Sequence, residues 1–178
     1  MLNLKRIASQ LESTDGAEIA EAALVLPLVF MLLLGIVWFG RAFNIYSTIT
    51  QAAQQGAITA ARATCATCDS DFPSNSAVRN AVEAVMKSSN LDPAQIIGNA
   101  PSPTFCANPP YPTGACSTTS NNITVCRSVL LNPPASSQPP QCGTVVSFQY
   151  PFKFYLPFTS LNLQQIVMSA QAQSRMEN

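Results

Sequence analysis

The sequence predicts an α+β protein with one long N-terminal helix, a second short helix and an antiparallel sheet of three or four strands with disulfide-stapled loops. Three observations carry this prediction. An apolar run over residues 22–40 continues directly into an amphipathic segment. Short β-branched runs separated by proline-rich loops fill the C-terminal half. Six cysteines occur, and all of them follow the apolar run.

The apolar run predicts a membrane-spanning helix. Its 19 uncharged residues would extend roughly 28 Å as a helix, close to the thickness of the hydrocarbon core of a bilayer. Lys5 and Arg6 precede the run and Arg41 follows it, and this distribution together with the cysteines favours an N-terminus inside and a C-terminal domain outside. A secretory signal peptide is the alternative, but its apolar region would be shorter and nearer to the first basic residues.

The helical pattern continues through residues 41–63, which contain no proline. A single helix over residues 17–63 would be roughly 70 Å long. Its second half either packs on the protein's own domain or packs against copies of itself, and both arrangements are compatible with a stripe of small residues. The stripe recurs at spacings of three and four and consists of Ala42, Ile45, Ile49, Ala52, Ala53, Gly56, Ala60 and Ala63.

Five residues of this helix are candidates for helix–helix packing. Pro27 lacks a backbone donor and frees the carbonyl of Ala23, which in lipid needs a neighbouring group. The other four are small and permit close approach of another helix. They are Gly35, Gly40, Gly56 and Ala60.

After the long helix, turn-forming residues precede a second helix, which is predicted over residues 76–89. Ser74 or Ser76 is its N-cap. Residues 96–97 begin a possible strand, and residues 101–120 are predicted to be an irregular loop that needs a covalent staple. The apolar stripe of the helix consists of Val78, Val82, Val85 and Met86.

The C-terminal half predicts strands over residues 123–131, 144–150 and 165–176. In the last of these, the even-numbered residues from Ile166 to Ala172 are apolar, which is typical of a half-buried strand. An aromatic cluster begins within the second strand and continues past its end; it is interpreted as core and sheet face, with a partner-binding surface as the alternative. It consists of Phe148, Tyr150, Phe152, Phe154, Tyr155 and Phe158.

The cysteines are interpreted as structural disulfides of an oxidising compartment, and their pairing is open. They are Cys65, Cys68, Cys106, Cys116, Cys126 and Cys142. A redox or zinc role for the CxxC pair is the less favoured alternative, because no βαβ pattern surrounds it. Calcium binding by Asp69 and Asp71 and glycosylation at Asn122 are further, less favoured alternatives.

The composition excludes several classes of function. Nine basic and nine acidic residues balance, so the chain lacks the electrostatic footprint of a nucleic-acid-binding protein. The sequence contains no histidine, which removes the commonest general base and metal ligand. We therefore expect no enzyme activity, no metal and no cofactor.

Glu21 lies at the edge of the apolar run, where a carboxylate is costly without a partner. A cut after Gly16 would make Ala17 the first residue and Glu21 the fifth. The new α-amine and the carboxylate would lie about one helical turn apart, and each could meet its counterpart on a neighbouring helix.

These segments together resemble the TadE/TadG-like pseudopilins, minor-pilin-like proteins of tight-adherence pilus systems. The resemblance covers about 50 residues at the start and 30 at the end, and it leaves the middle of the chain uncovered. Trp38 departs from the family, in which an acidic residue often precedes Phe-Gly-Arg. The matching segments are residues 16–17, 20–21, 23–27, 35–36, 39–41, 52–57, 146–152, 169–170 and 175–177.

The resemblance implies a cytoplasmic leader over residues 1–16, a long helix over residues 17–63 with its membrane part over residues 22–40, and an extracytoplasmic domain over residues 64–178. It implies that a prepilin peptidase cuts between Gly16 and Ala17. The expected partners are the cytoplasmic membrane of a bacterium, that peptidase and other pilin subunits, and no nucleic acid. Before the cut, the precursor crosses the membrane once with its C-terminal domain outside. After the cut, it joins a surface filament.

A second hypothesis is a binding module that stays uncut, anchored by one membrane helix and displaying its domain outside. It differs from the first in its intact N-terminus and in its indifference to Glu21.

Overall fold

The computed structural model describes residues 14–62, 72–106, 114–132, 139–153 and 165–176. They belong to two compact units, one up to Ala42 and one from Phe43 onward. Helix α1 (Thr14–Ala61) supplies every described residue of the first unit and the first element of the second. The predicted long N-terminal helix is confirmed, with bounds of Thr14–Ala61 where residues 17–63 were predicted.

Helix α2 (Asn75–Ser88) is displaced by one residue from its predicted bounds. Of the two predicted caps, Ser74 is the one used, because its Oγ accepts a hydrogen bond from the N–H of Ala77. The helix ends where Asn90 takes a left-handed conformation with φ 56° and the N–H of Leu91 donates to the carbonyl of Met86 at 2.9 Å. The predicted apolar stripe is buried at Val78, Val82 and Met86, and Val85 is half-buried.

Within the described residues, the sheet has four strands in the order β1-β2-β3-β4, and every neighbouring pair is antiparallel. The predicted three or four antiparallel strands are confirmed as four. The pairing of β3 with β4 extends from Gly143 opposite Arg175 to Lys153 opposite Gln165. The strands are β1 (Ala115–Thr118), β2 (Thr124–Leu130), β3 (Cys142–Lys153) and β4 (Gln165–Arg175).

Two local expectations differ from the structure. The predicted loop over residues 101–120 contains β1, whose four residues are held against β2 by pairing and by a cross-strand disulfide rather than by β-branched composition. At the expected strand over residues 96–97, a short 3-10 helix (Pro93–Gln95) is followed by a single bridge between Ile97 and Gln149. The bridge forms because β2 pairs with β3 no further than Ser147, which leaves Gln149 accessible from that side.

Strand β3 is longer than predicted because it continues through Pro151. Proline has no backbone N–H to donate, so in a sheet it is confined to positions where no neighbouring strand needs that donor. Pro151 pairs with Val167 of β4, and β2 does not extend that far, so no ladder on its other side needs the missing N–H.

In the second unit, both faces of the sheet are in contact with other parts of the chain. One face carries the buried Val146, Phe148, Tyr150 and Phe152 of β3 and packs against α1 and α2, as the contacts at Gly56 show. Residues 97–106 pair by their backbone with Gln149 of β3 and with Val129 of β2. Between these bridges they cross the other face, where the carbonyl of Asn99 accepts a hydrogen bond from Thr124 Oγ1 at 2.7 Å. The buried aromatic residues confirm the core interpretation for this part of the aromatic cluster; Phe154, Tyr155 and Phe158 lie outside the described residues.

Candidate membrane and subunit-packing helix

The first half of α1 presents apolar side chains to its surroundings. Over residues 18–43, no side chain is buried by the protein, and Leu24, Met31 and Phe39 are each about three-quarters exposed. The window of highest mean hydropathy in this helix reaches 2.7, and none of it is buried. Transferring this much apolar surface out of water is strongly favourable. By length and composition the helix is able to cross a membrane, and this apolar segment indicates membrane anchoring.

The residues of the predicted processing site lie at the beginning of α1. The helix starts at Thr14, so the bond between Gly16 and Ala17 lies in its first turn, where backbone N–H groups have no partner within the helix. Glu18 and Glu21 follow on exposed positions three residues apart. Within the described part of the chain, neither carboxylate forms a salt bridge.

Three of the predicted helix-packing residues lie in this apolar half. The helix continues through Pro27. A Cβ added at Gly35 or at Gly40 would have no atom within 4 Å among the described residues. These positions are therefore open to an external neighbour, whether lipid or another helix.

Gly56 and Ala60 lie in a different environment, since both are buried in the second unit. A Cβ at Gly56 would lie 2.7 Å from Cγ2 of Val82 and 3.3 Å from Cγ1 of Val146. The small-residue stripe thus allows α1 to approach both α2 and β3. The C-terminal half of the helix packs on its own domain. Packing of the helix against copies of itself stays a prediction.

Two disulfides lie within the described residues. Cys106–Cys142 closes a separation of 36 residues and Cys116–Cys126 one of 10. By loop-closure entropy, such links contribute about 4 and about 3 kcal/mol to stability. The first connects residues 97–106 to β3, and the second joins β1 to β2. Cys65 and Cys68, like Asp69 and Asp71, lie outside the described residues.

Arg127 of β2 binds the C-terminal end of α1, a role that the sequence did not reveal. Its guanidinium donates to the carbonyls of Pro73 at 2.6 Å and Ala60 at 3.4 Å and to Oδ1 of Asn75 at 3.1 Å. It also lies 5.7 Å from the centroid of the Phe72 ring. Burial lowers the pKa of this guanidinium. A cation at a helix C-terminus interacts favourably with its exposed carbonyls. The only sequence signal was a single charge within an otherwise uncharged strand.

A polar seam joins α2 to the turn between β1 and β2. Asn75 Nδ2 donates to Ser117 Oγ at 2.7 Å, and Arg79 donates to Ser120 Oγ at 2.9 Å. Glu83 accepts from Asn121 and pairs with Lys87 at 3.0 Å. These charges are paired within the second unit.

The sheet face crossed by residues 97–106 also contains a cleft of about 340 Å³. Its lining carries no charged side chain. Its lining includes the aliphatic side chain of Val145 and the amides of Gln171 and Gln173.

Comparison with protein-family models gives a match in the N-terminal helix. Residues 16–57 match the family model of TadE-like proteins. The match begins at the predicted cleavage position, includes Glu21, and ends within the packed half of α1. Neither the curated proteins nor the solved structures contain a significant match. This match, which covers the N-terminal helix, supports a TadE/TadG-like pilin family assignment.

Proposed function

We propose that this protein is a pilin-like subunit, a pseudopilin, that takes part in assembling a tight-adherence surface pilus. The observation that carries the proposal is the TadE-like match over a helix whose first half is apolar and exposed. In this proposal the helix is held first by the cytoplasmic membrane and then by like helices of other subunits, with its domain on the outer side.

The proposed processing follows from the chemistry at the beginning of the helix. A prepilin peptidase would cut between Gly16 and Ala17 and create an α-amine at Ala17. In a dry bundle of apolar helices, an unpaired amine or carboxylate costs several kcal/mol. Pairing the amine of one subunit with Glu21 of its neighbour offsets this cost and fixes the register between the two helices.

The glycines of the apolar half support the same proposal. Gly35 and Gly40 have open space around them within the described chain. A helix that exchanges lipid for neighbouring helices gains close contacts at such positions. The cation of Arg41 lies 5.8 Å from the Trp38 ring, at the end of the apolar run where an aromatic residue and a cation suit a membrane–water interface.

The proposal gives the chain a structural role and no enzymatic one. The charged side chains at the polar seam are paired with each other or with neutral amides and hydroxyls. The proposed partners are the peptidase, the membrane and other pilin subunits, and neither a cofactor nor a nucleic acid is required.

The first test is the N-terminus of the mature protein, measured by intact-mass and peptide mass spectrometry on membranes and on sheared surface filaments from the native host. A start at Ala17 in the filament fraction is the expected result. An intact Met1 found in membranes alone would contradict the proposal and favour the uncut anchored module.

The second test separates Glu21 from the neighbouring carboxylate at Glu18, which is equally exposed. Glu21→Ala is expected to leave membrane insertion intact and to abolish recovery of the subunit in filaments. Glu18→Ala is the matched control, with the same loss of charge one turn earlier, and is expected to retain incorporation. Equal incorporation of both variants would contradict the pairing role of Glu21.

A further inference from the structure

Among the described residues, the sheet of the second unit has two edge strands, each paired on one side only. At one end lies β4, whose eleven residues all pair with β3. Within the described residues, its other side has no strand partner. The strand contains no proline, its single charge is Arg175, and Ile166 and Val167 are each about half exposed. Long edge strands are usually protected by prolines, by charges or by a covering segment, because their free N–H and C=O groups attract another strand.

The opposite edge is β1, which is short and uncharged. Its four residues, Ala115–Thr118, are all exposed and pair with β2 on one side. Nothing in this strand opposes the approach of another strand: it has neither a proline nor a charged side chain.

Strand direction makes these two edges complementary. In an antiparallel sheet with an even number of strands, the first and the last strand run in opposite directions. A second copy in the same orientation, placed beside β4, would therefore present its β1 antiparallel to β4. The hydrogen-bonding geometry would continue that of the sheet itself.

Pairing of β4 with β4 of a second copy is disfavoured by the anchor. The two copies of such a pair are related by a two-fold axis normal to the sheet. This rotation reverses the direction of every strand, and of every helix whose axis is parallel to the sheet. The packed part of α1, residues 43–61, lies along one sheet face, so its two Phe43 ends would fall on opposite sides of the pair. Subunits that enter one membrane through these ends need them on the same side.

We infer that β4 of one subunit pairs with β1 of the next subunit in the same orientation, which extends the sheet from copy to copy. This inference rests on the proposed function, because it describes how the outer domains meet when their helices assemble side by side. Such a contact is heterologous, joins two different surfaces and leaves a free edge at each end. It therefore suits an open assembly rather than a closed dimer.

The side chains on the two edges match face by face. The register places Ala172 beside Val146 and Ser117 beside Val125, which itself pairs with Val146. These residues share the face that packs on α1. Small side chains, Ala170 and Ala172 on β4 with Ala115 and Ser117 on β1, would thus meet on that face. On the other face, Gln171 and Gln173 would meet Cys116 and Thr118, with no opposed like charges.

The contact is short, and this limits where it forms. Four residues of β1 supply few interchain hydrogen bonds, too few to hold two free domains together in dilute solution. Anchoring by the helices raises the effective concentration of the edges. The pairing is therefore expected in membranes or filaments.

The test places a photo-crosslinking amino acid at the exposed Gln171 of the full-length protein in its native host. A second copy with a different tag is co-expressed, so that links between copies are distinguished from links within one chain. The expected result is a crosslink from Gln171 to residues 114–119 of the other copy, located by peptide mass spectrometry. The matched control carries the same amino acid at the exposed Lys87 of α2 and is expected to give no such link.

The outcomes separate this inference from the proposed function. Links to β4 of the other copy, links within one chain only, or no links in subunits recovered from filaments would overturn the pairing and leave the filament role intact. A link from β4 to β1 in membranes without recovery in filaments would support the pairing and contradict the filament role. Absence of both the link and filament recovery would overturn both.

Discussion

The two halves of α1 have similar small residues but opposite surroundings. Up to Ala42, the helix exposes its apolar side chains, and Gly35 and Gly40 have no neighbour within 4 Å among the described residues. From Phe43 onward, one face is buried against α2 and the sheet, and Gly56 is in close contact with Val82 and Val146. A small-residue stripe therefore shows that something approaches closely, and tertiary structure determines whether the neighbour belongs to the same chain.

The comparison also separates the two tasks of the helix. The packed half fixes the domain to the anchor through burial, whereas the exposed half keeps its apolar surface for lipid or for other helices. Since the packed face is already occupied, additional subunits have to contact the apolar half, the outward face of the packed half or the sheet edges.

The largest expected effect comes from filling the close contact at Gly56. Gly56→Val should lower the free energy of unfolding of the domain by about 1–3 kcal/mol, because a well-packed core does not accept extra methyl groups without strain. Thermal unfolding of the full chain in detergent micelles, followed by near-UV circular dichroism, measures the change. Gly35→Val makes the same substitution in the same helix and should leave the transition unchanged. Equal effects of the two variants would contradict the difference between the halves.

A smaller loss of stability is expected at the C-terminal end of α1. Arg127→Lys keeps the charge and loses the planar fork that reaches Pro73, Ala60 and Asn75, so we expect destabilisation by about 1–2 kcal/mol. Denaturant unfolding of the same full-length protein measures it. Lys153→Arg, an exchange of the same two residue types at an exposed strand end, is the control and should have no effect. An unchanged Arg127→Lys variant would show that charge alone holds the helix end.

The smallest expected effect is a loss of stability in alkali. Burial of Tyr150, together with the negative charge of Asp92, raises the pKa of its phenol. The folded state thus retains the phenolic proton at pH values where the unfolded chain, with a pKa near 10, has lost it. Stability is fully present below about pH 10 and falls as the pH rises toward the higher folded pKa. Tyr150→Phe should flatten this part of the stability–pH curve, and an unchanged slope would contradict the shift.

The sequence predicted helices and strands well where apolar residues recur at a single regular spacing. The long helix, the second helix with Ser74 as one of its two candidate caps, and the strand from Gln165 all follow from repeating apolar positions. Strand β1 was missed because Ala115–Thr118 has no β-branched run, and its pairing depends on the Cys116–Cys126 disulfide and on partners distant in the chain. Arg127 was missed for the same reason, since its acceptors come from two segments that are distant in the chain, the end of α1 and the start of α2.

By itself, the sequence determined the apolar helix, the position of Glu21 at its edge and the chemical type of every candidate residue, because these depend on local order along the chain. Tertiary structure alone decided that Cys106 pairs with Cys142, that Gly56 contacts Val82 and Val146, and that β1 and β4 become the two edges of the sheet. These features join residues that are far apart in sequence. Periodicity carries no information about which of many compatible surfaces meet, and the meeting is settled by close packing of the whole domain.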